Sequence, residues 1–168
     1  MKKLHKLLSI WGLLFLTVLP LSSFSPALED DDYTYKTLFV YQFSRYIQWP
    51  HPSNQMVIGI LEGTKDIVSP FEKMAAKKSD ASRKIVVQNF ASASDIENCH
   101  ILFIPRSKSN QLETIVAKFS NKPVLIVTEK DGLAKKGSCI NFKIVSGKLK
   151  FELNQDNVQK AGLKVPKQ

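Results

Sequence analysis

From position 33 onward the hydrophobic pattern switches repeatedly between a helical period and short unbroken apolar runs. In the opening segment, residues 33–50 (YTYKTLFVYQFSRYIQWP), Tyr35, Leu38, Phe39, Phe43 and Tyr46 recur at spacings of three and four. Val40 and Ile47 widen that stripe, so a helix with this face turned inward is expected. Asp31 or Asp32 would cap it, with the acidic run from Glu29 to Asp32 at the positive end of its dipole. Pro50 forces Trp49 out of helical geometry, so the helix should end near Gln48.

Residues 56–61 (MVIGIL) then form a continuous apolar run, the mark of a strand buried on both faces. A helix is expected over 66–78, with Ile67, Phe71, Met74 and Ala75 on one side. The pattern repeats: a strand over 84–90, a short helix over 92–98, a strand over 100–105, a helix over 110–120 and a strand over 123–128. Strand and helix alternate, which predicts an α/β fold, a three-layer sandwich around a mostly parallel sheet. The end of the chain changes character. Ile140, Phe142 and Ile144 alternate with Asn141, Lys143 and Val145, Ser146-Gly147 makes a turn, and Leu149, Phe151 and Leu153 alternate with Lys148, Lys150 and Glu152. This predicts a C-terminal antiparallel β-hairpin with a charged outer face, which also discourages edge pairing. Asn154 would cap a last helix over 155–161, closed by Gly162.

Composition refines this outline at the N-terminus. Lys2, Lys3 and Lys6 precede an apolar run over 7–21, and small residues follow up to Ala27. That is the layout of a secretory leader, expected to span residues 1–27 and to leave a single soluble, exported domain over 28–168. An uncleaved anchor competes, but the run is shorter than the ~20 residues that span a bilayer. The formal net charge is +9, and losing the three leader lysines leaves +6. Those charges are scattered, without the arginine stripe and interleaved aromatics of a nucleic-acid groove, so no nucleic-acid partner is expected.

Little in the sequence suggests chemistry. His51 follows the Trp-Pro break and His100 opens a strand; neither has metal-ligand spacing, so no metal site or cofactor is expected. Phosphate-binding glycine patterns and the GxSxG nucleophile motif are absent. Four acids, Glu62, Asp66, Glu129 and Asp131, follow the first and fourth expected strands, where open α/β sheets bind ligands. They are the candidates for a small-ligand pocket. Cys99 and Cys139 are the only cysteines. A bond between them would close a loop worth roughly 4 kcal/mol. If the fourth strand lies between them, their α-carbons sit about 9–10 Å apart, beyond bonding reach. Disulfide and buried free thiols both stay open.

Several segments together resemble one family. The stretch 38–50 (LFVYQFSRYIQWP), then 99–104 (CHILFI), 123–128 (PVLIVT), the hairpin over 137–154 ending FELN, and 161–164 (AGLK) look like the YfiR-like family in order and spacing. Each motif is weak alone, and the set spans nearly all of the expected mature chain. The resemblance implies an exported α/β domain without catalysis, acting in the periplasm on a membrane signalling protein. In the best-understood members that protein is a diguanylate cyclase, whose release raises cyclic di-GMP. Others accompany a sensor kinase or an outer-membrane receptor, and a homodimer stays open. The redox-controlled members carry more cysteines than the two here, and the family domain usually runs on into a leucine-rich terminal helix. Aromatics and arginine anchor interfaces, so Tyr41, Arg45, Tyr46 and Trp49 are the candidates for touching a partner.

Overall fold

Alternating apolar runs and helical segments assemble, in the computed structural model, around one six-stranded sheet. The structure describes residues 33–166; the expected leader and the acidic cap lie outside the described residues. In chain order the elements are α1 (Tyr33–Tyr46), β1 (Gln55–Leu61), α2 (Lys65–Lys78), β2 (Lys84–Phe90), β3 (Ile101–Ile104), α3 (Leu112–Lys118), β4 (Leu125–Thr128), β5 (Ile140–Val145), β6 (Lys148–Leu153) and α4 (Gln155–Lys160). The strand order is β2-β1-β3-β4-β5-β6. All neighbours pair in parallel except β5 and β6, which form the antiparallel hairpin.

The three layers follow from strand alternation. Ile101 and Phe103 of β3 join Leu125 and Val127 of β4 in a core completed by α1, α2 and α4. Leu102, Ile104 and Ile126 point the other way and meet Leu112 and Ile115 of α3. β2 lies outside β1 and β4 outside β3, so crossovers of one hand place α2 and α3 on opposite faces. The central strands β3 and β4 are buried at every position, as continuous apolar runs require.

Three local expectations change. Residues 92–98 form turns instead of a helix: Ser92 and Ser94 bond side chain to side chain at 2.6 Å, and the Lys118 ammonium donates to the Ala93 and Ser94 carbonyls at 2.6 and 2.9 Å. Those side-chain bonds compete with helix formation. The helix expected over 110–120 is a 3-10 segment (Arg106–Gln111) running into the shorter α3.

The third change concerns α1, which is rotated from its expected orientation. Its buried side is Tyr33, Lys36, Thr37, Val40, Phe43 and Ser44, and Ile47 continues it. Tyr35, Leu38 and Tyr46 face outward. Thr37 and Ser44 donate their hydroxyls to the carbonyls of Thr34 and Tyr41, at 2.8 and 2.7 Å, so neither carries an unmet polar group into the interior. Lys36 is accounted for by a carboxylate 93 residues away, described below.

The hairpin turn is as expected. Ser146 and Gly147 both have positive φ, 52° and 70°, the two-residue geometry whose twist matches the flanking strands. Gly137, just before β5, is the more restrictive glycine. Its φ is 116°, and a Cβ there would stand 2.8 Å from a methyl of Val116 in α3. Gly137→Ala should therefore cost about 1–3 kcal/mol, read as a lowered midpoint in chemical denaturation.

Candidate functional site: the outward face of the first helix

Glu129 follows β4 at the carboxyl end of the sheet, where a ligand-binding acid was expected. It is instead buried, 3% exposed, and engaged by its own chain. The Tyr33 hydroxyl donates to Oε1 at 2.8 Å, the Arg106 backbone N–H donates to the same oxygen at 2.9 Å, and the Lys36 ammonium donates to Oε2 at 2.6 Å. Lys36 is itself 2% exposed and lies 4.5 Å from the centre of the Tyr33 ring. A buried ion pair holds its place only when such further donors complete it. The carboxylate thus fastens the first turn of α1 to the loops after β3 and β4.

Glu62, at the end of β1, is also committed. It has φ 47°, an uncommon conformation for a residue with a side chain. Its carboxylate pairs with Lys108 and accepts from Gln111 Nε2 at 2.7 Å, both in the 3-10 segment after β3. These hydrogen bonds, Lys108 first and Gln111 second, hold its pKa below the usual carboxylate range. The crevice between the ends of β1 and β3, where the strand order reverses, is the usual ligand position in such sheets; here Glu62 bridges it. Asp66 and Asp131 are exposed. β3 separates β1 from β4, and none of the four acids lines the groove or the cleft described below. Among the described residues no group of three or more His, Cys, Asp or Glu could hold a metal ion.

At the opposite end of the sheet Trp49 acts as a tie. Its indole Nε1 donates to the Pro123 carbonyl at 3.0 Å, and its ring meets the His100 ring edge to face at 6.2 Å. The neighbouring Gln48 exchanges backbone hydrogen bonds with Lys164, at 2.9 and 3.1 Å. Together these pin the strap between α1 and β1. Trp49→Phe should keep the ring contact and lose the Pro123 bond, lowering stability by about 0.5–1.5 kcal/mol, measurable as a shifted urea midpoint. Cys99 and Cys139 are both free and buried. β4 lies between the strands that they flank. Burial pushes the thiols up to about 12 and about 11, which leaves them neutral and unreactive.

What faces outward is a stripe along α1. Tyr35, Leu38 and Tyr46, with Gln42 between them, share one side at helical spacing, and Arg45 is exposed beside them. Tyr35 is 47% exposed, Leu38 43%, Tyr46 42% and Phe151 of β6 41%; these are the exposed large hydrophobics of the described residues. Phe151 belongs to the same surface, with its ring 5.7 Å from Phe39 and 4.9 Å from Phe43. Between α1, β6 and the segment after α4 runs a groove of about 1130 Å³, floored by Phe39, Phe43 and Leu163 and rimmed by Gln42, Gln48 and Gln159.

Local sequence builds the groove's far wall. Asn154 Oδ1 accepts from the Asn157 N–H at 3.1 Å and starts α4; Gly162, at φ 70°, stops it and turns the chain back toward Gln48. Of the four residues expected to touch a partner, Arg45 and Tyr46 are exposed on this face. Tyr41 is half-buried beneath the Lys78 ammonium, 5.2 Å from its ring centre, and Trp49 is the tie just described. Leu38, Tyr35 and Phe151 were missed by sequence reasoning as surface residues, because apolar periodicity alone assigns them to the core.

Fold and surface together define a doubly wound α/β domain in which Glu62 bridges the crevice between the ends of β1 and β3, and the exposed large apolar side chains of the described residues lie on α1 and β6. The sequence profile of the YfiR/HmsC-like family matches residues 33–168, and the chain belongs to that family. Membership supports a periplasmic regulatory role in general terms, in a family that is regulatory and not catalytic. No curated protein matches the chain.

Proposed function

We propose that this chain is an exported single-domain regulator, beginning after residue 27, that binds the periplasmic part of a membrane signalling protein and modulates its output. One observation carries this reading: the exposed large hydrophobics of the described residues gather on α1 and the adjoining β6. Surface aromatics clustered beside an arginine are the composition of a protein-binding patch. A diguanylate cyclase or a sensor kinase fits the family's regulatory theme, and an outer-membrane receptor is the other class of partner. The small-ligand alternative is the less favoured reading, because Glu62 and Glu129 already have internal partners.

Affinity capture of the tagged full chain from envelope extracts tests the reading. Recovery of a membrane signalling protein, with altered signalling output on deletion of the chain, is the expected result. Recovery of none, together with unchanged output, would refute it.

A further inference from the structure

The strap between α1 and β1 ends in a contact that depends on the state of one imidazole. The His100 backbone N–H donates to the Val57 carbonyl at 2.9 Å, and its side-chain Nδ1 accepts from the Val57 N–H at 3.1 Å. An imidazole nitrogen that accepts carries no proton, so the ring is neutral with its hydrogen on Nε2. On the other side the His100 carbonyl accepts from the Leu125 N–H at 2.8 Å. One residue therefore links β1, β3 and β4 at their amino ends, and Trp49 leans on its ring.

A cleft of about 300 Å³ opens beside this ring, so protons from solvent can reach it. The groups facing it come from several elements. His51 and Trp49 belong to the strap, Glu97 and Cys99 to the turns before β3, and Lys122 to the turn before β4. Arg83, at the start of β2, adds its charge from the outer edge of the sheet. Cys99 stays a neutral thiol. Glu97 is the one carboxylate in this set, and the Arg83 charge opposes a positive charge on the ring.

We propose that His100 is an acid-sensitive latch: protonation puts a second N–H against the Val57 N–H, turns the ring away from Val57 and out of its contact with Trp49, and loosens the strap that sets the end of α1. The consequence for binding rests on the reading of α1 as the partner face, since Arg45 and Tyr46 stand in the last turn before this strap. Burial, then the Arg83 charge, hold the His100 pKa below its ordinary 6.5. The folded state therefore favours the neutral ring. The latch is fully closed above pH 6.5, and its contribution is lost as pH falls from there through the lowered folded value.

Nuclear magnetic resonance on the full chain tests this, following the Trp49 indole N–H (assigned with Trp49→Phe), the Val57 amide and the His100 ring against pH. The expected result is that indole and amide lose exchange protection together, at the midpoint of the His100 ring. The loss amounts to about tenfold for each unit by which that pKa is lowered. His100→Asn, whose amide oxygen still accepts from Val57, should remove the dependence, and His100→Gln serves if that variant folds poorly. Protection of Trp49 that is unchanged between pH 7 and a pH below the observed His100 ring midpoint, or a dependence that persists in the variants, would overturn the latch. Capture of the membrane partner at both pH values is the separate arm: failure to capture at either pH counts against the partner reading and leaves the resonance result to judge the latch.

Discussion

Glu129→Ala should lower the stability of the folded domain by about 3–5 kcal/mol, the range for breaking a buried ion pair from one side. Domains of this size are stable by roughly 5–15 kcal/mol, so this one substitution should remove a large share of the total. The reason is the charge left behind. Lys36 is 2% exposed and its ammonium is only 2.6 Å from the carboxylate that balances it. Removing the carboxylate takes that counter-charge from the ammonium and one acceptor each from the Tyr33 hydroxyl and the Arg106 N–H. Lys36→Met should be milder, because those two donors keep their acceptor. The pair Lys36→Met with Glu129→Gln should cost less than Glu129→Ala alone, since no buried charge remains. Urea denaturation of the parent protein, these variants and Glu129→Gln alone would check the order; costs of Lys36→Met and Glu129→Gln that simply add in the pair would show that the two groups do not act as one.

The second large effect is expected on binding and not on stability. Leu38→Asp combined with Tyr46→Ala alters the outward stripe of α1 and touches none of the buried side that holds the helix in place. Exposed substitutions of this kind change stability by about 0.5 kcal/mol or less. Anchor residues at protein interfaces are worth about 2–4 kcal/mol, so affinity for the membrane partner should fall by roughly 30-fold to 1,000-fold, at 1.4 kcal/mol per factor of ten. Phe151→Ala should weaken binding less cleanly, because Phe43 and Phe39 rest on that ring and the helix would shift. Comparing thermal midpoints with capture efficiency separates the two kinds of change.

The sheet was legible in the sequence and the orientation of α1 was not. Continuous runs such as 101–104 and 125–128, set between helical segments, read as strands buried on both faces, and the alternation around Ser146-Gly147 reads as a hairpin; both are what the structure has. For α1 the apolar period admitted two neighbouring faces. The buried one contains a lysine, a threonine and a serine, and a distant carboxylate and the helix's own carbonyls help to make those residues tolerable inside. Nothing local in the segment announces a partner 93 residues away. The same long-range bond explains why Glu129 looked like a ligand-binding acid: its position after β4 is the usual one, and its occupation by Lys36 is a tertiary fact. The turn at 92–98 was misjudged for a smaller reason, serine side chains that bond each other and a lysine that bonds the backbone carbonyls.

The account stands on α1 having a buried side that fixes it and an outward side that meets a partner. Photo-crosslinking in living cells tests this most directly, with a light-activated residue placed at Leu38 or Tyr46 and, as the control, at the exposed Glu113 on the opposite layer. The expected result is a covalent adduct with a membrane signalling protein from the two α1 positions and none from Glu113. An adduct formed from Glu113 while both α1 positions stay silent would contradict it.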